Sequence, residues 1–175
     1  MNPMSRVIYR TLDSPVGTVT VAGDGSVITH VRMSDQSHPP PHRDQWHHGP
    51  RAFGEAVRQL GAYFAGELTR FDLPIRLHGT TFQRRVWGAL CDIPYGETAS
   101  YGAIAKRIGM PGAARAVGWA NGHNPVSIIV PCHRVIGADG SLTGYGGGLD
   151  RKMTLLELER DHFTPRLALA AQLER

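Results

Sequence analysis

Short runs of apolar and β-branched residues alternate with turn residues in the first third of the chain. Three such runs cover residues 7–12, 18–22 and 27–33, and turn residues at 13–15 and 23–25 separate them. Runs of this length bounded by turn residues are typical of strands joined by tight turns. The pattern therefore predicts a β meander at the start of the chain.

Residues 34–50 are rich in proline and histidine and have no periodicity, which predicts a loop. Histidines are common metal ligands, so a metal site is one interpretation of this segment. No cysteine or carboxylate accompanies these histidines at ligand spacing, and this favours a solvated loop with no bound metal. The histidines concerned are His38, His42, His47 and His48.

Apolar residues recur at helical intervals from 53 to 64, and Gly66 is placed to end that helix. Residues 71–77 could form a further strand, although Pro74 weakens this interpretation. The change of pattern near residues 78–79 predicts a domain boundary.

Helical periods dominate the second half. Thr80 and Gln83 form a capping-box pattern at the start of one helix, and Ser100 is a candidate N-cap for a second. A tight turn at 109–112 and a helix of small residues at 113–120 follow. A helix, a short turn and a second helix outline a helix-turn-helix, although many plain helical hairpins share this outline.

The last part of the chain combines an apolar run with a final helix. Residues 126–130 are apolar and bounded by prolines, which predicts a buried strand, and the periodicity of 151–160 predicts a helix. We therefore expect a mixed α/β (α+β) fold. It has a small N-terminal sheet-plus-helix domain (1–77), a mainly helical C-terminal domain (80–160) and a C-terminal tail (161–175).

Composition narrows the class of protein. The 175 residues include two cysteines, too few for a disulfide framework or a four-cysteine zinc site. No apolar run approaches the ~20 residues that span a bilayer, and residues 1–10 lack a secretory pattern, so we expect a cytoplasmic protein without membrane contact. The net charge of +4 permits contact with nucleic acid but does not show it.

Cys132 is the leading candidate for chemistry, because it follows the predicted buried strand. Pro131 suits the first position of a helical turn, which would place backbone N–H groups near the thiol. With His133 and Arg134 beside it, this setting predicts a thiol pKa lowered from about 8.5 toward or below 7. A buried, inert cysteine is the alternative, and it is the interpretation we favour for Cys91.

Glu159 falls on the apolar face of the last predicted helix, where a carboxylate must be paired or hydrogen-bonded. His133 is the partner we expect, oriented as in nucleophile–base–orienter arrays. A salt bridge with Arg151 or Arg160 is the alternative. Adjacent side chains of a strand point to opposite faces, so His133 can assist Cys132 only through a turn or a bridging water.

Several motifs in the second half resemble one family. They are RAVG (115–118), NP (124–125), IIVPCHRVI (128–136), GY (144–145), LL (155–156) with Glu159, and PYGET (94–98) with SY (100–101). Together they resemble the active-site region of the O6-alkylguanine-DNA alkyltransferases, in the bacterial constitutive form. The resemblance is close over residues 82–159 and holds only in outline over residues 1–77.

The resemblance implies a role for each matching residue. Cys132 would accept the alkyl group of O6-alkylguanine, and that of O4-alkylthymine, irreversibly and once per molecule. His133, oriented by Glu159 and acting through a water, would take the thiol proton. Asn124 would hold the active-site turn, and Tyr101 would protonate the departing guanine while contacting DNA.

The resemblance also implies how DNA is bound. The second helix of the helix-turn-helix would enter the minor groove of double-stranded DNA without sequence specificity, and Arg115 would fill the gap left by the flipped base. The small residues Ala113, Ala114 and Ala116 would permit close approach. We expect a monomer in solution, several copies of which can cluster on DNA.

The implied substrate pocket contains Val135, Tyr145, Gly146 and Gly147. Gly146 replaces a serine of some members, and Trp119 stands where smaller residues are common. No cofactor is implied, and residues 1–77 have no cysteine to hold the zinc of some relatives.

Two other functions remain open at this point. A lesion-binding relative would recognise alkylguanine without repairing it, but such proteins commonly carry tryptophan in place of the acceptor cysteine. A cysteine hydrolase could use Cys132 and His133, although no part of the chain indicates an acyl pocket or an oxyanion hole.

Overall fold

The N-terminal part is a four-stranded sheet with the strand order β3-β2-β1-β4. The computed structural model describes residues 6–163. Strands β1 (Ile8–Leu12), β2 (Val19–Gly23) and β3 (Ile28–Met33) pair antiparallel, and β4 (His47–His48) pairs parallel with β1. The predicted meander is confirmed, with Val19, Val21 and Val31 fully buried.

One helix packs with the sheet. Helix α1 (Gly54–Phe64) places Ala56, Leu60 and Tyr63 in the same buried core as the strands. It ends where Gly66 adopts a left-handed φ of 75° and donates to Tyr63 O, an arrangement that favours glycine. The predicted end of this helix is confirmed.

The C-terminal part contains four helices: α2 (Thr81–Cys91), α3 (Tyr101–Arg107), α4 (Ala114–Gly122) and α5 (Leu149–His162). The predicted capping box is present, since Thr80 and Gln83 each accept from the other's backbone N–H. Ser100 caps α3 by accepting from Ala103 N at 3.0 Å. Helix α4 packs against both α2 and α3, and Trp87 of α2 donates to Ala120 O at 2.9 Å.

A two-stranded parallel sheet joins the helix-turn-helix to the cysteine segment. Strand β5 (Ala99–Ser100), just before α3, pairs with β6 (Val135–Ile136), just after Cys132–Arg134. The start of α3 is therefore held close to the candidate site. No helix among residues 6–163 is long and apolar enough to cross a membrane.

Three local predictions were wrong. Residues 126–130 are buried, except for the partly buried Ile129, but they form no strand, because Ile128 takes a left-handed φ of 74° that breaks an extended run. Residues 71–77 contribute only a single bridge, between Ile75 and Ile28. The predicted loop at 34–50 contains β4 and a 3₁₀ turn, Arg43–Gln45.

The end of the chain differs in part from expectation. Helix α5 continues to His162, two residues into the segment predicted as a tail. The remainder of that tail, residues 164–175, lies outside the described residues.

Candidate active site

Cys132 lies in the interior, with 3% of its surface exposed, at the first residue of the 3₁₀ turn Cys132–Arg134. Its N–H donates to Val130 O at 2.8 Å. Pro131 precedes the turn, with φ −83° and ψ 63°, so the prediction that it starts the turn was wrong. The turn still reorients the chain, and this brings His133 and Arg134 to one side of the cysteine.

Two asparagine side chains hold this segment in place of strand pairing. Asn124 Nδ2 donates to Val130 O at 2.8 Å, and its Oδ1 accepts from Val126 N at 3.0 Å. Asn121, on α4, donates to Cys132 O at 3.3 Å. Buried backbone groups need such partners, so these amides stabilise the irregular path of the chain.

His133 and Glu159 make the predicted contact. His133 Nε2 lies 2.7 Å from Glu159 Oε1, and both side chains are buried. An ionised carboxylate only accepts, so Nε2 carries the hydrogen and Nδ1 is left with a free lone pair. Nδ1 is buried and has no hydrogen-bond partner within residues 6–163. The neutral ring therefore holds a base on the side away from Glu159.

Arg134 is the arginine that pairs with Glu159. Its Nε and Nη2 donate to the two carboxylate oxygens at 2.9 and 2.8 Å. The predicted alternatives, Arg151 and Arg160, make other contacts. Arg151 donates to Ser34 O, and Arg160 Nε lies 3.6 Å from Asp161 Oδ1. Sequence reasoning did not identify Arg134 as the partner, because its proximity to Cys132 suggested a role at the thiol.

Tyr63, from α1 of the N-terminal part, also reaches this carboxylate. Its hydroxyl donates to Glu159 Oε1 at 2.8 Å. Burial raises the pKa of Tyr63, and the nearby Glu159 charge raises it further, so the hydroxyl remains a donor. No local pattern in the sequence links residue 63 to residue 159.

The electrostatics of the site favour a neutral thiol and a neutral imidazole. Burial raises the pKa of Cys132 above its ordinary value, and the opposing effects of Asn124, Lys152 and Tyr145 do not reverse this. The prediction of a lowered thiol pKa was wrong, because Arg134 faces Glu159 and the thiol is desolvated. Burial likewise lowers the pKa of His133 despite the contact with Glu159.

Glu159 is the one group of this array that is held ionised. Burial acts to raise the pKa of Glu159, but hydrogen bonds from His133 and Arg134 and the positive charge of Arg134 outweigh it. The pKa of Glu159 therefore lies well below its ordinary range. Because His133 is neutral, the negative charge of Glu159 is balanced by the positive charge of Arg134.

Lys152 is a further site residue that sequence reasoning missed. It is fully buried on α5, and its ammonium donates to Val135 O at 2.6 Å and Thr143 O at 2.8 Å. Burial lowers its pKa to about 8. Lysine is rarely buried, and here it ties β6 to the loop that carries Tyr145.

The predicted pocket residues lie around the thiol and on this loop. Val135 is buried in β6, and the buried Tyr145 hydroxyl faces Cys132 without a well-formed hydrogen bond. A Cβ at Gly147 would lie 2.7 Å from the Met33 methyl group and 2.9 Å from the Tyr145 ring, so these side chains would have to shift to admit any other residue. A Cβ at Gly146 would make only ordinary contacts, the nearest at 3.5 Å.

The predicted DNA-contacting residues lie on the helix-turn-helix. Tyr101, at the start of α3, donates to Thr143 O at 3.1 Å and so reaches the pocket loop. Arg115 and Ala116 are exposed on α4, whereas Ala113 and Ala114 are half-buried. Arg115 makes no hydrogen bond or ion pair within the described part of the chain.

No group of three or more His, Cys, Asp or Glu side chains within residues 6–163 is placed to hold a metal ion. Two histidines of the segment 34–50 form β4, and a third, His38, stacks on His123 with ring centroids 3.9 Å apart.

The fold and the site define a protein with an N-terminal sheet and a helix-turn-helix domain, built around a buried cysteine, histidine and glutamate. Two family models match it: "6-O-methylguanine DNA methyltransferase, ribonuclease-like domain" over residues 7–77, and the DNA binding domain of the same family over residues 81–161. The chain therefore belongs to the 6-O-methylguanine DNA methyltransferase family, the DNA-repair enzymes that move an alkyl group from DNA to a protein cysteine.

Similar proteins agree with this assignment. The chain is 66% identical over 161 residues to a methylated-DNA–protein-cysteine methyltransferase of Mycolicibacterium paratuberculosis, covering 92% of this chain and 97% of the relative. It is 64% identical to the crystal structure of Mycobacterium tuberculosis OGT in complex with DNA. That match covers 89% of this chain and 94% of the other, with a TM-score of 0.86.

Proposed function

We propose that the protein repairs O6-alkylguanine in duplex DNA by transferring the alkyl group to Cys132 Sγ, one group per molecule. The observation that carries this proposal is the buried array in which Glu159 fixes His133 with its free nitrogen available beside the cysteine turn. The same array gives the thiol proton an acceptor.

The proposed reaction begins with loss of the thiol proton. His133 Nδ1 takes that proton through a bridging water, and Glu159 stabilises the imidazolium that forms, as an orienting carboxylate does elsewhere. The sulfur attacks the alkyl carbon, the bond from carbon to guanine O6 breaks, and its electron pair returns to the base. Tyr101 supplies a proton to the guanine, so the leaving base is neutral.

A neutral resting thiol fits this sequence of steps. Because burial raises the pKa of Cys132, the thiolate forms only as His133 accepts the proton, with the base in place. The charge of Lys152 favours the thiolate once it has formed. Near neutral pH the site thus reacts slowly with alkylating agents from solvent and faster with a substrate held in line.

The single turnover follows from the product. Alkylated Cys132 is a thioether, which has no carbonyl for water to attack, in contrast to an acyl-enzyme. Cys91, the other cysteine, is exposed at the end of α2, where it lines a pocket with Pro131 and Arg134, whereas Cys132 is buried. The alkylated protein therefore persists.

For DNA binding, we propose that α4 enters the minor groove without sequence preference, with Arg115 filling the gap left by the flipped base. The exposure of Arg115 and Ala116 supports this, since the Arg115 side chain can reach the DNA and the small Ala116 leaves room for close approach of the helix. A net charge of +4 implies few phosphate contacts, and a salt slope of roughly 3–5 neutralised phosphates. The proposed state is a monomer that can cluster on DNA, in a reducing cytoplasm where free thiols persist.

The test is a stoichiometry measurement. The protein is mixed with an excess of duplex containing O6-methylguanine, and both repaired DNA and protein mass are followed. Repair should stop near one equivalent, with one methyl group mapped to Cys132. Cys132→Ser should bind without repairing, and Cys91→Ser should behave as the natural protein does.

Two outcomes would overturn the proposal. Continued turnover, or an adduct on Cys91, would contradict the mechanism, and binding without transfer would indicate a lesion-recognition protein. A parallel incubation with a thioester tests for cysteine hydrolase activity. A duplex carrying O4-methylthymine tests whether the second lesion is accepted.

A further inference from the structure

Three aromatic rings form a continuous stack on the surface beside α4. The Trp119 and His123 rings lie 4.0 Å apart between centroids, at an interplanar angle of 29°. His123 in turn stacks on His38 at 3.9 Å and 27°. We call Trp119, His123 and His38 the aromatic stack. Trp119 is 59% exposed, which is unusual for so large an apolar side chain.

The aromatic stack continues the exposed face of α4. Val117, Ala120 and Asn121 point into the interior. Residues four apart lie on one face of a helix, so Trp119 follows Arg115 at a distance of about 6 Å along the axis. Trp119 therefore shares the face through which we propose that the protein meets DNA.

The far end of the aromatic stack is fixed to the substrate-pocket loop. Ser37, next to His38, donates to Gly146 O from its N–H at 2.9 Å and from its hydroxyl at 3.1 Å. Arg32 donates to Ser37 O at 2.8 Å. On α4, a hydrogen bond of 2.7 Å joins the His123 ring to Trp119 O. Hydrogen bonds thus hold the chain beside His38 and the His123 ring, and the Trp119 ring stacks on that ring, so the ordering needed on binding is reduced.

We propose that Trp119 is a second DNA-contacting element that packs its exposed ring against a base step of the duplex, within about two base pairs of Arg115. His123 and His38 support the ring from behind and extend the DNA interface from α4 to the N-terminal part of the chain. This inference rests on the proposed function.

Duplex DNA is the occupant that the surroundings favour. The aromatic stack is continuous with the exposed face of the helix-turn-helix, and Trp119 and His123 lie within the segment that matches the DNA binding domain of the family. An aromatic ring offers a base a stacking surface that tolerates any sequence, as the proposed repair of lesions in any context requires. An apolar wedge also loosens the base step that it contacts, and this favours extrusion of the neighbouring base.

The experiment measures affinity and repair separately. Affinity for a short duplex containing O6-methylguanine is measured by fluorescence anisotropy in a Cys132→Ser background, and repair with Cys132 intact. Trp119→Ala should weaken binding about tenfold, and Trp119→Phe about twofold, because Phe retains part of the ring. His38→Ala should weaken DNA binding less than Trp119→Ala does. Met153→Ala, an exposed apolar change on α5, is the matched control and should leave affinity unchanged.

Two further readouts separate a DNA contact from a structural role. Reaction with the free O6-methylguanine base should be the same for Trp119→Ala and the natural protein. Tryptophan fluorescence should be quenched on DNA binding, and that change should be lost in Trp119→Phe. Equal duplex affinity of Trp119→Ala and the natural protein, with repair intact in both, would overturn the inference and leave the proposed function standing.

The remaining outcomes are also decisive. If Trp119→Ala changes self-association without DNA but not DNA affinity, the aromatic stack binds a second copy of the chain and the inference is wrong. If the natural protein fails to accept a methyl group from any duplex, the proposed function itself fails. Thermal melting of each variant identifies a loss caused by misfolding, and Trp119→Phe then carries the test.

Discussion

Replacement of Glu159 by glutamine tests the charge balance of the site. The carboxylate is 1% exposed and accepts hydrogen bonds from Tyr63, His133 and Arg134. Glutamine has nearly the same shape, but it removes the negative charge and replaces one acceptor by an NH2 group. Arg134, whose side chain is 8% exposed, then keeps its charge without a counter-ion.

Removal of one partner of a buried ion pair costs about 3–5 kcal/mol, because the other charge remains desolvated. Arg134 also donates to Ile93 O at 2.7 Å and lies 5.8 Å from the centre of the Tyr95 ring. These contacts still stabilise the Arg134 charge in part, so we expect the free energy of unfolding to fall by about 3 kcal/mol, the lower end of that range. For a chain of this size, that loss lowers Tm by about 6–12 °C.

The assay is urea denaturation at pH 7, with Glu157→Gln as the matched control, since Glu157 is exposed on the same helix. The pKa of Glu159 is lowered in the folded protein, so its carboxylate contributes stability above the unfolded-state pKa of about 4.3. That contribution declines as the pH falls further, and the difference between the two proteins should shrink. A loss below about 1 kcal/mol, or one equal to that of Glu157→Gln, would refute the reasoning.

Three other predictions concern reactivity and stability. Arg115→Ala should slow repair of duplex DNA much more than reaction with the free base, and equal losses in a rate comparison would contradict a role in extrusion. Because burial raises the pKa of Cys132, its alkylation by iodoacetamide should still increase at pH 9, whereas a plateau below pH 8 would be inconsistent with this. Thr80→Ala removes the α2 cap and should cost about 1 kcal/mol in chemical denaturation, against no loss for Thr154→Ser.

Local signals predicted most of the helices. The capping box at Thr80, the N-cap at Ser100 and the glycine after α1 each act within a few residues, so the sequence contains the whole interaction. The segment 126–130 shows the limit of such reasoning. Its burial was predicted, but its path depends on Asn124, whose amide replaces the hydrogen bonds that a strand would make.

The pairing of Glu159 with His133 was predictable because the helical pattern puts this carboxylate on the apolar face of α5, where it needs a buried partner. Contacts that depend on tertiary packing were not. Tyr63 reaches Glu159 across 96 positions, and the buried Lys152 ammonium is stabilised by hydrogen bonds that it donates to two backbone oxygens. The thiol pKa was mispredicted for the same reason, since tertiary packing buries Cys132 and Glu159 binds the Arg134 side chain.

The outer edge of β3 is left unpaired for part of the time that the chain is being synthesised. Near the start of the strand, Ile28 N–H donates to Pro74 O and Ile28 O accepts from Arg76 N. Further along, Val31 N–H donates to Pro125 O and Val31 O accepts from Ser127 N. An uncovered strand edge invites pairing with other chains. A ribosome adds about 5–20 residues per second, so residues 125–127, which cover the edge at Val31, are synthesised roughly 5–20 s after β3. During that interval the newborn sheet presents open backbone groups, and the segment that later holds the nucleophile is the one that closes them.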